Sequence, residues 1–426
     1  MGPIPNNVRD RPMTPAPLAG GQPSAAYQRW VVVLLSLNIG IVFFDRYALN
    51  FLMPFVQPDL HLNNTQVGAF TSALSLSWAL SCLLIGRVSD AWGRRKPLLV
   101  SCTVVFACMS FLSGMAGSFV TLLLTRLLMG VAEGGVTPIS HAVIVSTVEP
   151  SRRGVAMGVI QNFGSNLLGG FLSPLLLVAL ANHYGWRSAF YVAGVPGLVS
   201  AAALMWWLKE TPVTRTPTAR PVIRGLLESR NVWICAAMSA LLVAFVMIFV
   251  TFAPILLTHD GVDRTTMSWF MATFGIASVA YSILIPGSSD LWGRRPVVVT
   301  GALLGALLPL AAGYLPGPLW TSFVMFAAGS AITGIFPIVM GTIPAESVRP
   351  ELVGTVLGIG MGVGEAIGGT LGPVCAGFAA DAFGMHATLW IMAALAVATA
   401  SLGLCVQETA PVRRGPAAME QPEMLL

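Results

Sequence analysis

Apolar residues in this chain neither alternate along strands nor line one face of short helices; they run together. Twelve stretches of about 20 or more mostly apolar residues stand between short polar segments, each long enough to cross a bilayer's hydrocarbon core as a helix. Their bounds are roughly 30–56, 65–86, 97–117, 119–146, 154–181 and 187–208, then 231–257, 266–287, 297–315, 317–344, 352–380 and 387–407. Gly and Pro recur inside the runs, which membrane helices tolerate because neighbouring helices re-satisfy the freed backbone groups. The pattern predicts an all-α polytopic membrane protein of twelve transmembrane helices.

One polar interruption is longer than the rest. Residues 209–230, "KETPVTRTPTARPVIRGLLESR", are rich in Pro, Thr and Arg and separate helices 1–6 from helices 7–12. The expected organisation is a six-helix bundle over 29–208, a cytoplasmic linker over 209–230 and a second bundle over 231–408, with tails at 1–28 and 409–426. The first tail is rich in Pro, Gly and polar residues and lacks the apolar core of a signal peptide, so it is expected to be disordered. The bundles share a pattern. "IGRVSDAWGRRKP" from Ile85 returns as "IPGSSDLWGRRPV" from Ile285, matching Asp90, Trp92, Gly93, Arg94 and Arg95 to Asp290, Trp292, Gly293, Arg294 and Arg295 at an offset of 200. The same offset carries Gly154 and Gly158 onto Gly354 and Gly358. Two parallel six-helix repeats are a transporter architecture, with the substrate site near the bilayer midplane between the halves.

Composition and charge add orientation. Hydrophobic residues make up 55% of the 426 and charged ones 10%, against about 25% charged in soluble domains. With the N-terminus inside, 19 of the 23 Lys and Arg residues fall in cytoplasmic segments and only Arg187 and Arg264 on the opposite side. Basic residues mark the cytoplasmic face, so both termini are expected there, in a multi-pass protein of the plasma (inner) membrane. The net charge of +5 is then a topology signal, and no nucleic-acid partner is expected. The six cysteines all fall inside predicted helices without metal-ligand spacing and read as small packing residues. No nucleotide loop, metal cluster or catalytic triad argues for an enzyme, and no metal or cofactor is expected beyond a proton gradient as energy source.

The run from Gly86 to Arg95, "GRVSDAWGRR", resembles the signature loop between helices 2 and 3 of the major facilitator superfamily, and its second copy falls between helices 8 and 9 as that family would have it. The resemblance extends from about residue 28 to 408 and implies two six-helix halves that arose as repeats. It also implies that Asp90 and Arg94 belong to a cytoplasmic gate, with Glu149, Arg152 and Arg153 as partners and Asp290 and Arg294 as the second copy. Helix dipoles favour such placements, a carboxylate at a helix N-terminus and an Arg near a C-terminus.

Few charges lie within the predicted helices: Asp45 and Arg46 on helix 1, Arg126 and Glu133 on helix 4, and Glu365 on helix 11, with His141 nearer a helix end. Each costs at least about 2.5–3.5 kcal/mol at the bilayer centre and marks a cavity or a partner. Arg126 and Glu133 are seven apart, on one helical face, and about 10 Å apart along the axis. They are therefore expected to reach across to Asp45 and Arg46 instead of pairing with each other. Asn38, seven before Asp45, extends a polar stripe down helix 1. Two readings stay open: a structural cluster tying helices 1 and 4, or a proton and anion site.

"FFDRYALN" on helix 1 with "LLLTRLLMGVAEGG" on helix 4 resembles the anion:cation symporter branch of the superfamily, which moves sugar acids and related organic anions. The resemblance implies that Asp45 and Glu133 are proton-coupling acids, that Arg46 is the substrate-carboxylate ligand, and that Arg126 governs protonation of the acids. The same pattern is similar to Spinster-like transporters of lysolipids, and the motif does not separate the branches. On helix 5, Gln161, Asn162, Ser165 and Asn166 offer hydrogen bonds to a polar substrate, and Ser165 corresponds by the offset to Glu365. Glu365 is therefore expected to face the same cavity, as a second proton site or a charge satisfied by backbone. Phe245, Phe249 and Phe252 form a stripe on helix 7 that reads first as packing and otherwise as a lining for an aromatic or amphipathic carboxylate. The expectation is a monomer in the lipid bilayer that carries a small anionic molecule with protons; the alternative is a proton-coupled exporter of amphiphiles or drugs.

Overall fold

The computed structural model describes residues 24–210, 229–314, 318–349 and 352–410. The tails as far as residue 23 and from residue 411, and the linker over 211–228, lie outside the described residues. Among the described residues, twelve helices are long and apolar enough to cross a membrane. In the first half they are α1 (Ala25–Asp59), α2 (Asn64–Trp92), α3 (Arg95–Gly114), α4 (Phe119–Thr147), α5 (from Arg153 to Tyr184 in three consecutive stretches) and α6 (Trp186–Trp207). In the second half they are α7 (Arg230–His259), α8 (Arg264–Trp292), α9 (Arg294–Tyr314), α10 (Leu319–Glu346), α11 (Val353–Phe383) and α12 (Ala387–Cys405).

Polar residues at the edges of the apolar runs end the helices. Asn63 and Gln66 form a reciprocal cap at the start of α2, and Ser118 with Thr121 does the same for α4. Asp263 caps α8 through the N–H groups of Thr265 and Thr266, both at 3.0 Å. A hydrogen bond from the Thr266 side chain, with those backbone bonds, holds its carboxyl below the usual range. The repeated motif is helical as far as Trp92 and Trp292, and the chain turns at the glycines that follow. Gly93 has φ 71° and Gly293 φ 100°, a region that other residues rarely enter.

The halves meet along α2 with α11, α5 with α8, and α1 with α7. At the end remote from the basic loops they are closely joined. The Asp381 carboxylate on α11 accepts from the backbone N–H of Asn64 (2.9 Å) and Thr65 (2.8 Å) and from Thr65 Oγ1 (2.6 Å) at the start of α2. Arg264 donates to the Pro54 carbonyl at 3.4 Å and covers the Phe55 ring. Gly170 and Gly275 bring α5 and α8 so near that a Cβ on Gly170 would lie 2.9 Å from the Gly275 Cα. Toward the basic end the contact fades: Gly86, Gly154, Gly158, Gly287, Gly354 and Gly358 each have open space within 4 Å of where a Cβ would stand. The molecule is closed at one end and parted at the other.

Candidate functional site

Asp45 and Arg46 are sequence neighbours, so a step of about 100° around α1 sends them to different faces. Asp45 turns into the first bundle, where Oδ1 accepts from Ser110 Oγ of α3 at 2.7 Å. Arg46 turns to the seam. Its Nη2 lies 3.2 Å from Glu365 Oε2 of α11 and 3.5 Å from Ser75 Oγ of α2. The guanidinium carbon stands 5.8 Å from the centroid of the Phe43 ring and 5.4 Å from that of Trp78, within cation–π range. Phe43, Tyr47 and Trp78 are all half-buried, so part of this aromatic surface stays open.

On α4, Arg126 is fully buried, donates to Ser113 Oγ of α3 and lies 5.6 Å from the Phe190 ring centroid. Glu133 is 0% exposed, and neither of its carboxylate oxygens has a hydrogen-bond partner. It stands in the fields of Arg46, Asp45, Arg126 and Glu365. Asp45 Oδ2 and Arg126 Nε and Nη1 are likewise buried without a partner. An unmade bond at a buried polar group costs about 1–3 kcal/mol, more for a charged one, so these atoms form an unsatisfied polar centre in an apolar bundle. Arg46 and Arg126 line one cavity, with Tyr47, Asn50, Thr71 and Ser75 beside them and Met247 of α7 opposite. Its volume is ≈ 10 Å³, room for about one water molecule.

The arrangement joins some expected residues and separates others. Arg126 stands in the field of Asp45 and Glu133 in that of Arg46, as expected of residues that reach toward helix 1, but the hydrogen-bond partners of Arg126 and Asp45 are serines of α3, and Arg46 pairs with Glu365. Of the two roles open for Glu365, satisfaction by backbone groups does not fit, because its carboxylate meets a guanidinium. Asn38 is a correction. Its Oδ1 accepts from Ser200 Oγ of α6 at 2.8 Å and Thr103 Oγ1 of α3 at 3.4 Å, fully buried, so it ties helices within the first bundle and does not extend a stripe toward substrate. Phe245, Phe249 and Phe252 are buried too. Phe249 packs on Phe274 and Phe326 at 4.7 and 5.8 Å between centroids, which makes the stripe core and not lining. Asn166 is half-buried on α5, while the side chains of Gln161 and Asn162 lie outside the described residues.

Widened turns shape both repeat-related helices. Val159–Leu172 in α5 and Gly364–Gly369 in α11 wind with i→i+5 spacing, and Gly164, Ser165 and Gly169 correspond to Gly364, Glu365 and Gly369 at the offset of 200. Such turns are rare and concentrate at functional sites. Sequence reasoning missed Ser75 and Trp78, Ser110 and Ser113, and Asp381. The serines at i, i+3 in "CMSFLSG" and the run "SALSLSWALS" were the available signal for the first four.

At the basic end, Arg294 meets Asp290 at 2.6 Å and Glu346 at 2.9 Å, all within the second half. The carboxylate at the start of α9 is not Asp290, which sits in the last turn of α8, but Glu408, which accepts from the N–H of Arg294 (2.8 Å) and Arg295 (3.1 Å). Burial would raise its carboxyl; the backbone hydrogen bonds of Ala410, Arg294, Arg295 and Thr409 outweigh this and hold it below the usual range. Glu210 does the same for α3, accepting from Arg95 and Lys96 at 2.8 and 3.2 Å. Glu149 meets Arg152 at 3.9 Å on the surface, and Arg94 is exposed. The side chain of Asp90 lies outside the described residues.

Two bundles of six helices, closed at one end over a charged centre at their seam, define a membrane transporter. The chain belongs to the Major Facilitator Superfamily, whose model matches residues 35–263 and 232–423. It is 26% identical to the hexuronate transporter of Bacillus subtilis (strain 168), over 92% of this chain and 96% of that one. It is 25% identical to a gallate transporter of Pseudomonas putida, over 82% and 86%. Among solved structures it is similar to a bacterial homologue of the human lysosomal transporter Spinster, in an inward-facing and occupied conformation, with TM-score 0.71 and 19% identity over 90% and 97% of the two chains.

Proposed function

We propose that this transporter is a proton-coupled symporter of a small organic monoanion, working by alternating access at the seam between the halves, around the charges of α1, α4 and α11. The observation that carries the reading is Arg46: a buried guanidinium at the meeting of the halves, sharing a cavity with Arg126, paired with Glu365 and in the field of Glu133. Arg46 takes the substrate carboxylate with its planar pair of donors. Asp45 and Glu133 hold and release the protons, and Arg126, between them in charge, favours release. Phe43, Trp78 and Tyr47 beside Arg46 suit a flat or partly apolar body behind the carboxylate. The relatives' names, hexuronate and gallate, are both carboxylates of this size.

Charge balance supports the coupling. Asp45, Glu133 and Glu365 oppose Arg46 and Arg126, three acids to two bases, and net charge buried at the midplane is expensive. One proton makes the empty centre neutral, and a monoanion then demands one more. Substrate and proton thus enter together, electroneutrally. With the basic loops cytoplasmic, the parted end faces inward and the joined end faces out, in a multi-pass plasma-membrane protein with both termini inside. The energy source is the proton gradient, the cargo a single small anion, and the working unit a monomer.

Proteoliposomes offered gallate, galacturonate and a panel of further organic acids test this. An alkaline interior should drive accumulation of at least one monoanion, and a membrane potential of about 100 mV, worth about 2.3 kcal/mol per charge moved, should add nothing. Accumulation driven by potential without a pH gradient would refute the coupling.

A further inference from the structure

Glu365 is the one acid of the centre that belongs to the second half, and its surroundings differ from those of the other two. Asp45 and Glu133 are completely buried, whereas the Glu365 side chain keeps 17% of its surface exposed. Its Oε2 sits 3.2 Å from Arg46, and the other partner of Arg46 Nη2 is a neutral hydroxyl at 3.5 Å. Glu365 rides on the widened turn Gly364–Gly369 and lies against Gly369, where a Cβ would fall 2.8 Å from its carboxylate oxygen. The cavity beside Arg46, shared with Arg126, lies on the guanidinium whose Nη2 this pair occupies.

We propose that Glu365 is a tethered anion that holds the substrate's place on Arg46, and that the substrate carboxylate displaces it. The inference rests on the reading of Arg46 as the carboxylate ligand. It goes further by giving Glu365 a specific role: it competes with substrate and ties α1 of one half to α11 of the other when no substrate is bound. Exchange of one carboxylate for another leaves Arg46 paired throughout, so the guanidinium is never stranded in a low dielectric. The Glu365 pair also ties α11 to α1 while no cargo is aboard, a tie that slows but does not prevent the return of the empty carrier that symport requires. If Glu365 occupies Arg46 about nine-tenths of the time, apparent affinity is reduced about tenfold, because only the free fraction binds.

Isothermal titration of the purified full chain with gallate and with galacturonate tests the competition. Glu365→Gln keeps the shape without the charge, and the expected result is apparent affinity about tenfold tighter than wild type. Glu365→Asp, one methylene shorter, should tighten binding less. Unchanged or weaker binding in both variants, with binding lost in Arg46→Ala, would overturn the role given to Glu365 and leave the carboxylate site standing. Wild-type binding in Arg46→Ala would remove the site reading itself. Spin-label distances between the basic ends of α5 and α8 supply a second readout that needs no substrate. Glu365→Gln should populate a shorter-distance state, saturating probe should do the same in wild type, and probe added to the variant should add little. Identical distributions in wild type and Glu365→Gln would overturn the tie even if neither probe binds.

Discussion

Glu133 has both carboxylate oxygens buried without a hydrogen-bond donor, while Asp45 has Ser110 and Glu365 has Arg46. A charge so placed is uncompensated by contact, and a proton removes it. Glu133→Gln, which imitates the protonated acid, should therefore bind substrate and exchange it in counterflow at equal pH at near the wild-type rate. Under an imposed pH gradient it should only equilibrate, because the proton is no longer picked up and released there. Gradient-driven accumulation by this variant at the wild-type level would move the proton to Asp45 and then Glu365. Arg46→Lys tests a different property of the same centre. Lysine keeps the charge but loses the planar fork, and a hydrogen bond to a charged group is worth about 1.5–3 kcal/mol. Uptake at low substrate should fall at least about tenfold, and near-normal apparent affinity in an uptake titration would exclude two-donor binding.

Among the helices, the start of α2 carries the clearest latch between the halves. Its first N–H groups carry partial positive charge, and Asp381 from the opposite half receives three hydrogen bonds there, all shorter than 3.0 Å. A carboxylate on a helix N-terminus is a stable arrangement that has to break before this end opens. Asp381→Ala should therefore add a longer-distance population between spin labels placed at the ends of α2 and α11 remote from the basic loops. Thr65→Val, which removes one donor of the three, should do so to a smaller degree. Distance distributions matching wild type in Asp381→Ala would mean that packing such as Gly170 on Gly275 holds this end alone.

For the whole molecule, the repeated motif does different work in its two copies. Arg294 is buried and bound to Asp290 and Glu346, whereas Arg94 is exposed and Ser146 stands where the offset of 200 would place a partner to Glu346. Arg294 holds Asp290 and Glu346 and donates to Ser289, so Arg294→Ala should lower the thermal stability of the purified protein beyond Arg94→Ala. Neutralising Asp90 or Arg94 should instead shift the resting population toward the state parted at the basic end, without abolishing substrate binding. Spin-label distances between the basic ends of the two halves measure that shift; unchanged distances in both variants would leave the first copy as a topological anchor.

The twelve helices were determined by the sequence alone, because a helix satisfies its own backbone bonds and an apolar run of bilayer length has no other stable form in lipid. The twofold organisation was equally legible in the motif at Asp90 and Asp290, since an internal repeat needs no contact to be seen. The charged residues of the centre could be named for the same reason: Asp45, Arg46, Arg126, Glu133 and Glu365 are conspicuous in apolar surroundings. Their partners could not. The pairing of Arg46 with Glu365 joins residues 319 apart in sequence, and it follows from how α1 and α11 are rotated against each other across the seam. Rotation likewise carried Asn38 away from the cavity to Ser200 and Thr103 and buried the phenylalanine stripe of α7 in its own bundle. A helical period says which residues share a face; which neighbour that face meets is settled by packing of all twelve helices at once. The same holds for the closed end, where Asp381 found the start of α2 through a meeting of two halves that neither half's sequence encodes by itself.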